Sequence, residues 1–366
     1  MISSLRQISI RNTASRRSPM PRIESVNAEL LHDQPLVNVI TRVRDSDGLE
    51  GVGEAWWGIP DRERRSRIAS PVIAVINDLL APRLVGRDPD AIERLWFELW
   101  DWGYRYADQG IFPMGLSGVD LALWDLKGKR LGASVAALLG GPVSDGIPAY
   151  ASFPRYADRE RLMAETARAL EAGFTAVKLH EIDPEMVAVL RAEFGDAVKI
   201  MVDVNGHFDP LEAIAVGKRL GELGVTWFEE PVRPMRDHAA MARVRAAIEC
   251  DLAAGENEYA LADFDRLLAS GAVAYLQPEI TKIGGLTAAR RVSTLAELHN
   301  VALCPHNFRL GPALYASVQW AFTSPASRWL EIPWVRPGVA FSFAAPLPPM
   351  RDGLVLPLDG PGLGCG

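Results

Sequence analysis

The chain has 366 residues with a formal charge of −7, 48% apolar and 23% charged. This ordinary globular balance excludes a disordered chain and a disulfide-stapled mini-scaffold. Mild acidity offers no basic footprint for nucleic acid. No run approaches the roughly 18 apolar residues of a membrane span.

Residues 1–21 read as a disordered tail, carrying Arg6, Arg11, Arg16 and Arg17 and no acid before Glu24. That composition resembles a transit peptide; the competing reading is an upstream start, with Met20 the working one. Residues 22–57 alternate apolar and polar positions and predict three antiparallel strands, with turns at Asp33-Gln34-Pro35 and Asp45-Ser46-Asp47-Gly48. Helices are expected near 62–82, 88–104 and 113–132. The third is apolar on most faces, which predicts burial between domains.

From about residue 147 strands alternate with helix-length stretches. The strand candidates are Pro148–Phe153, Ala176–His180, Lys199–Asn205, Thr226–Pro231, Leu252–Glu256, Ala274–Glu279, Ala302–His306 and Trp329–Ile332. Eight such strands with seven helical connections predict an α/β fold, a modified (β/α)7β TIM barrel. The domains expected are an α+β unit over 22–140, the barrel over 141–335 and a C-terminal segment, 336–366, returning to the first unit. Ala344–Met350 is a short Pro-rich connection. The three cysteines, Cys250, Cys304 and Cys365, are too scattered for a disulfide framework and fit a reduced, cytoplasmic setting.

Each strand from the second to the eighth ends in an ionisable residue: Lys178 and His180, Asp203, Glu229, Glu256, Glu279, His306 and Glu331. The C-terminal strand ends of a barrel form one face, where its active sites are built. Asp203, Glu229 and Glu256 on adjacent strands would crowd three negative charges, which calls for a cation. An all-oxygen ligand set suits Mg²⁺. Lys178 and His180 lie two apart and point the same way. A Glu279 carboxylate on one nitrogen of His306 would fix its tautomer and make the other nitrogen a general base. A protonated Glu331 could donate to a developing oxyanion, which needs a raised pKa. Weaker candidates are Trp56 and Trp57 as pocket walls (with core packing the alternative), Asn205, and Lys282 before the helix-opening Gly284-Gly285. His207, His238 and His299 are expected at the surface.

These motifs, in this order, resemble the mandelate racemase subgroup of the enolase superfamily. They are Val177-Lys178-Leu179-His180, Met201–Asn205, Trp227-Phe228-Glu229-Glu230-Pro231, Gly255-Glu256-Asn257, Gln277–Gly285, Pro305-His306-Asn307 and Trp329-Leu330-Glu331. The resemblance implies an N-terminal α+β capping domain over the barrel mouth and a symmetric homo-oligomer. It implies Mg²⁺ on Asp203, Glu229 and Glu256, His306 as base with Glu279 its partner, and Glu331 as electrophilic group. Three departures stand out: His180 where the family usually has Lys, Glu279 where it usually has Asp, and a short first hairpin at His32–Pro35.

The activity implied is abstraction of the proton α to the carboxylate of a small-molecule acid. The expected outcome is dehydration of a sugar acid to a 2-keto-3-deoxy acid, by a lyase. Racemisation or epimerisation of a 2-hydroxy acid or amino-acid derivative, by an isomerase, is the alternative. A hydrolase on this barrel would usually want histidine ligands. A silent metal-binding protein would not need the full constellation.

Overall fold

The structure, a computed structural model, describes residues 20–32, 37–57, 70–105, 107–335 and 347–365. The expected tail through residue 19, the 33–36 turn, helical residues 62–69 and the start of the Pro-rich connection lie outside the described residues. The first sheet has the order β1 (Ile23–His32), β2 (Val37–Asp45), β3 (Glu50–Ala55), all antiparallel. Helix α1 runs continuously over 70–84 with a π-helical middle, followed by α2 (Ile92–Gly103) and α3 (Ile111–Leu131).

Helix α3 is buried on nearly every face because β2 and β3 approach it at backbone distance. A Cβ on Gly51 would lie 2.0 Å from the Ala122 carbonyl, and one on Gly53 2.2 Å from that of Gly118. Only glycine allows this contact. Polar groups on the opposite side of α3 reach the barrel. Ser117 Oγ accepts from Gly284 N (2.8 Å) and Gly285 N (3.1 Å), and Asp120 accepts from Thr287 N (3.0 Å) and Thr287 Oγ1 (2.6 Å). A helix start that lacks a side-chain cap of its own is thus capped by another helix.

After the short α4 (Val135–Leu138), the barrel alternates eight parallel strands with seven helices: β4 (Ile147–Ser152), α5 (Arg159–Glu171), β5 (Ala176–Leu179), α6 (Pro184–Phe194), β6 (Lys199–Asp203), α7 (Pro210–Glu222), β7 (Trp227–Glu229), α8 (His238–Ala247), β8 (Asp251–Ala254), α9 (Leu261–Ala269), β9 (Tyr275–Leu276), α10 (Leu286–Leu298), β10 (Ala302–Leu303), α11 (Pro312–Ala321) and β11 (Leu330–Pro333). Neighbours from β4 to β10 pair in sequence. Strand β11 pairs with β4, and Leu303 bridges to Ser327 just before β11, so the sheet curls back on itself.

Several strands are shorter than their apolar runs suggest. Asn205 (φ 43°) and Glu230 (φ 42°) take the left-handed conformation, which ends β6 at Asp203 and β7 at Glu229. Glu279 and His306 lie beyond β9 and β10 but still form a parallel bridge. The C-terminal segment first forms a hairpin, β12 (Met350–Arg351) and β13 (Leu354–Val355), which adds to β4. It then reaches α3, where Leu363 N donates to Asp125 Oδ1 at 2.8 Å. No helix among the described residues is long and apolar enough to cross a membrane.

Candidate active site

The period of two along a strand builds the site in layers. Tyr150, Ala176, Met201, Trp227 and Ala253 fill one level of the barrel interior. Two residues onward, on the same strand faces, stand Lys178, Asp203 and Glu229. Asp203 and Glu229 are direct cross-strand partners. With Glu256, just past β8, their carboxylate oxygens all lie within 4.8 Å of one another, and all three residues are buried.

Such a cluster is unstable as three bare anions. Burial, and next the charge of Asp203, push Glu229 up to about 8. Burial also opposes charge on Asp203, but Lys178 and His180 outweigh it and hold that carboxyl near 2. Glu229 Oε2 is anchored by Gln277 Nε2 (2.7 Å) and Trp227 Nε1 (2.9 Å), and its Oε1 by Lys178 Nζ (2.8 Å). The triad thus offers hard, pre-aimed oxygens and a charge excess that a divalent cation would neutralise, so the donor set could hold a metal.

Lys178 is fully buried. Its ammonium lies 2.8 Å from Glu229, 2.9 Å from Glu331 and 3.5 Å from Asp203. Burial disfavours its charge, yet Glu229 and Glu331 raise its pKa well above the ordinary value. Glu331 Oε2 also accepts from Tyr150 Oη (3.2 Å) and from Asn307 N (3.1 Å). Burial favours its acid form, but Lys178 and His306 lower its pKa overall. A protonated, donating Glu331 would need a raised pKa, and the buried ammonium beside it shifts the group the other way.

Two imidazoles flank the triad. On the β8 side, His306 Nδ1 lies 2.7 Å from Glu279 Oε2 and Nε2 lies 2.6 Å from Glu256 Oε2. Glu279 is itself fixed by Thr281 N (2.9 Å) and Thr281 Oγ1 (2.6 Å) on its other oxygen. The longer glutamate therefore reaches His306 with its geometry fixed. Burial opposes charge on His306, but Glu256 and then Glu331 hold its pKa well above the ordinary value. On the β6 side, His180 Nδ1 meets the Phe153 carbonyl and Nε2 lies 3.2 Å from Asp203 Oδ2. A carbonyl only accepts, so Nδ1 carries a proton and Nε2 is the nitrogen turned to the triad.

The weaker candidates divide. Lys282 Nζ donates to the Glu256 carbonyl (2.9 Å) and lies 4.3 Å from the Trp56 ring centre, and Trp56 and His306 form a T-shaped pair with centroids 5.8 Å apart. Asn205 is exposed at the mouth and holds Asp203 through its backbone N–H (2.9 Å) and Nδ2 (3.2 Å). Trp57 instead packs in the hydrophobic core, since successive residues on an extended chain face opposite ways. His238 is a correction: its Nε2 pairs at 2.7 Å with the buried Glu258, because α8 starts directly beside the loop after β8. The sequence reading missed Gln277, Trp227 and Tyr150. Trp227 carried a signal, two residues before Glu229 on the same strand face.

A family profile described as "Mandelate racemase / muconate lactonizing enzyme, N-terminal domain" matches residues 10–140, and "Enolase C-terminal domain-like" matches 161–366. The chain is 33% identical over 347 residues to the D-galactarolactone cycloisomerase of Agrobacterium fabrum, covering 89% of this chain and 88% of that protein. It is also 33% identical over 347 residues to the D-galactonate dehydratase of Verminephrobacter eiseniae, covering 88% and 87%. Among solved structures, a mandelate racemase/muconate lactonizing protein from Paracoccus denitrificans, complexed with magnesium, superposes with a TM-score of 0.84 at 28% identity, over 94% of each chain. The 3,6-anhydro-D-galactonate cycloisomerase of Zobellia galactanivorans gives 0.82 at 29%, over 94% of this chain and 96% of that one. With both halves matched and the acidic triad at the barrel mouth, the chain belongs to the mandelate racemase/muconate lactonizing enzyme family of the enolase superfamily.

Proposed function

We propose that this protein is a Mg²⁺-dependent lyase that removes the α-proton of a sugar acid and then expels the β-hydroxyl, giving a 2-keto-3-deoxy acid. One observation carries the reading: a buried triad of carboxylates with a histidine–glutamate pair on one side and a second imidazole on the other. Relatives named D-galactonate dehydratase, arabinonate dehydratase and L-talarate/galactarate dehydratase support the substrate class. In this reading the chain divides into a capping domain over 22–140, a barrel over 141–335 and a C-terminal segment, and it works on a small carboxylic acid as a homo-oligomer.

Asp203, Glu229 and Glu256 would hold Mg²⁺, which when bound supplies a positive charge to oxygens that become anionic as the α-proton leaves. Lys178, kept charged and oriented by Glu331, donates to the same substrate carboxylate. Once Glu256 serves as a ligand, its charge no longer holds the second proton on His306. Nε2 then becomes the base, with Nδ1 kept protonated by Glu279. His180, whose Nδ1 is committed to the Phe153 carbonyl, presents Nε2 as the acid that protonates the leaving hydroxyl. Asn205 and Trp56 border the substrate space, and Lys282 braces the Glu256 loop.

The placement of two imidazoles on opposite sides of the triad also favours a second reading, epimerisation, in which His180 returns a proton to the face opposite His306. Incubating the Mg²⁺-loaded enzyme with a panel of aldonates and aldarates separates the two. Formation of a keto acid, abolished by EDTA and restored by Mg²⁺, supports dehydration. An inverted α-centre with no water lost replaces it with epimerisation, and activity that survives EDTA overturns the metal assignment.

A further inference from the structure

A further buried carboxylate lies outside the machinery described above. Glu54, on the last turn-proximal stretch of β3, is fully buried. Its Oε2 accepts the backbone N–H of Ala313 at 3.0 Å, in the first turn of α11. Its Oε1 accepts from Asn38 Nδ2 at 2.6 Å, and the same Nδ2 donates to the Leu310 carbonyl at 3.1 Å. Neighbouring strands of the first sheet therefore grip the far end of the segment that follows His306. The near end is held inside the barrel, where Asn307 N donates to Glu331 and Asn307 Nδ2 to the Arg309 carbonyl (2.8 Å).

Between these two grips sits Arg309, only 2% exposed. Its guanidinium carbon lies 4.2 Å from the centre of the Trp56 ring and 5.2 Å from that of Trp57. Trp56 in turn packs against the His306 imidazole in a T-shaped pair. The chain reaches the Glu279 loop as well, since Trp56 N donates to the Thr281 carbonyl at 3.1 Å. The charges of both Glu54 and Glu279, the partner of His306, act on Arg309 against the burial that lowers its pKa. A buried acid is tolerated only where its oxygens find donors and a compensating charge. On the segment that follows the base, Glu54 finds the Ala313 N–H and the Arg309 charge, which offset in part the burial that pushes its carboxyl up to about 7.

We propose that Glu54, acting with Asn38, is a positioning residue through which the first sheet fixes the Arg309–Trp56 wall against His306, and so the aim of its imidazole. The proposal rests on His306 being the base. Asn38→Ala removes the grip on both Glu54 and Leu310; Glu54→Ala removes the acceptor of Ala313 N; Glu54→Gln keeps the volume and one acceptor. A misplacement of about 1 Å at a reacting group costs on the order of 100-fold in rate. Accordingly, Glu54→Ala and Asn38→Ala should lose about 10- to 100-fold in kcat per folded molecule, with KM moving by less than about threefold, and Glu54→Gln should fall between them and the wild type.

The test measures kcat and KM of the full-length Mg²⁺-loaded variants, with the folded fraction set by circular dichroism. Histidine ¹⁵N NMR reads the His306 ring nitrogens in the same samples. Loss of kcat at nearly constant KM, with displaced His306 shifts, supports the proposal. A kcat per folded molecule within twofold of wild type overturns it, even if Tm falls. Should Glu54→Ala fail to fold, Asn38→Ala decides by the same criteria. Should the wild type itself exchange no α-proton, the base assignment fails instead, and unmoved His306 shifts in Asn38→Ala would still overturn the positioning role.

Discussion

The carboxylate triad predicts that loading the metal expels protons. Glu229 is pushed up to about 8 by burial and by Asp203. At pH 7 a group with that pKa is roughly nine-tenths protonated. As a ligand it must be ionised, so Mg²⁺ binding at pH 7 should release about 0.9 proton from Glu229 alone. His306, raised by Glu256 and Glu331, adds to the release when Glu256 turns to the cation. Release from Glu229 should fall to about 0.5 at pH 8 and below about 0.1 at pH 9, and the apparent affinity should weaken by at least about tenfold as pH drops from 7 to 6. Calorimetric titration of the apoprotein in buffers of different ionisation enthalpy measures this number directly. A release near zero at pH 7, or an affinity flat between pH 6 and 8, would refute the charge reasoning.

Asp120, which caps α10 from α3, is raised to about 7, chiefly by burial. A raised carboxyl binds its proton more tightly when folded, so its contribution is greatest below the unfolded value and is lost as pH rises toward 7. Between pH 5 and 8 the loss is about 3 kcal/mol. Asp120→Asn keeps an acceptor and no charge, so urea denaturation should show wild-type stability falling relative to the variant over that window; parallel profiles would contradict the burial argument. His180→Ala should fold normally and retain α-proton exchange while losing turnover to keto acid, read by comparing exchange and product rates; unchanged turnover would make His180 a bystander.

Much of the site was legible because it obeys strand arithmetic. Asp203, Glu229 and Glu331 are in strands, and Lys178 follows the same face as Ala176. The seven helical connections were visible as amphipathic stretches between short apolar runs. What escaped depends on neighbours distant in the chain. The ionisation of Glu331 is set by Lys178 and His306, which no local pattern announces. Glu54 and Asn38 touch Leu310 and Ala313 across some 260 residues, and only the folded chain brings them together. Strand ends at Asp203 and Glu229 came earlier than the apolar runs suggested, because Asn205 and Glu230 adopt positive φ. Trp57 took the core-packing alternative and His238 was misplaced for a related reason, since exposure at a loop depends on what packs over it.

In the proposed reaction His306 takes an α-proton beside the triad. Proton NMR in D₂O with Mg²⁺, over a panel of sugar acids, compares wild type with His306→Asn. Wild type should take up α-deuterium with at least one acid and the variant should lose that uptake, with Mg²⁺ binding retained. Exchange by His306→Asn at the wild-type rate, or no exchange by the wild type on any acid, would contradict it.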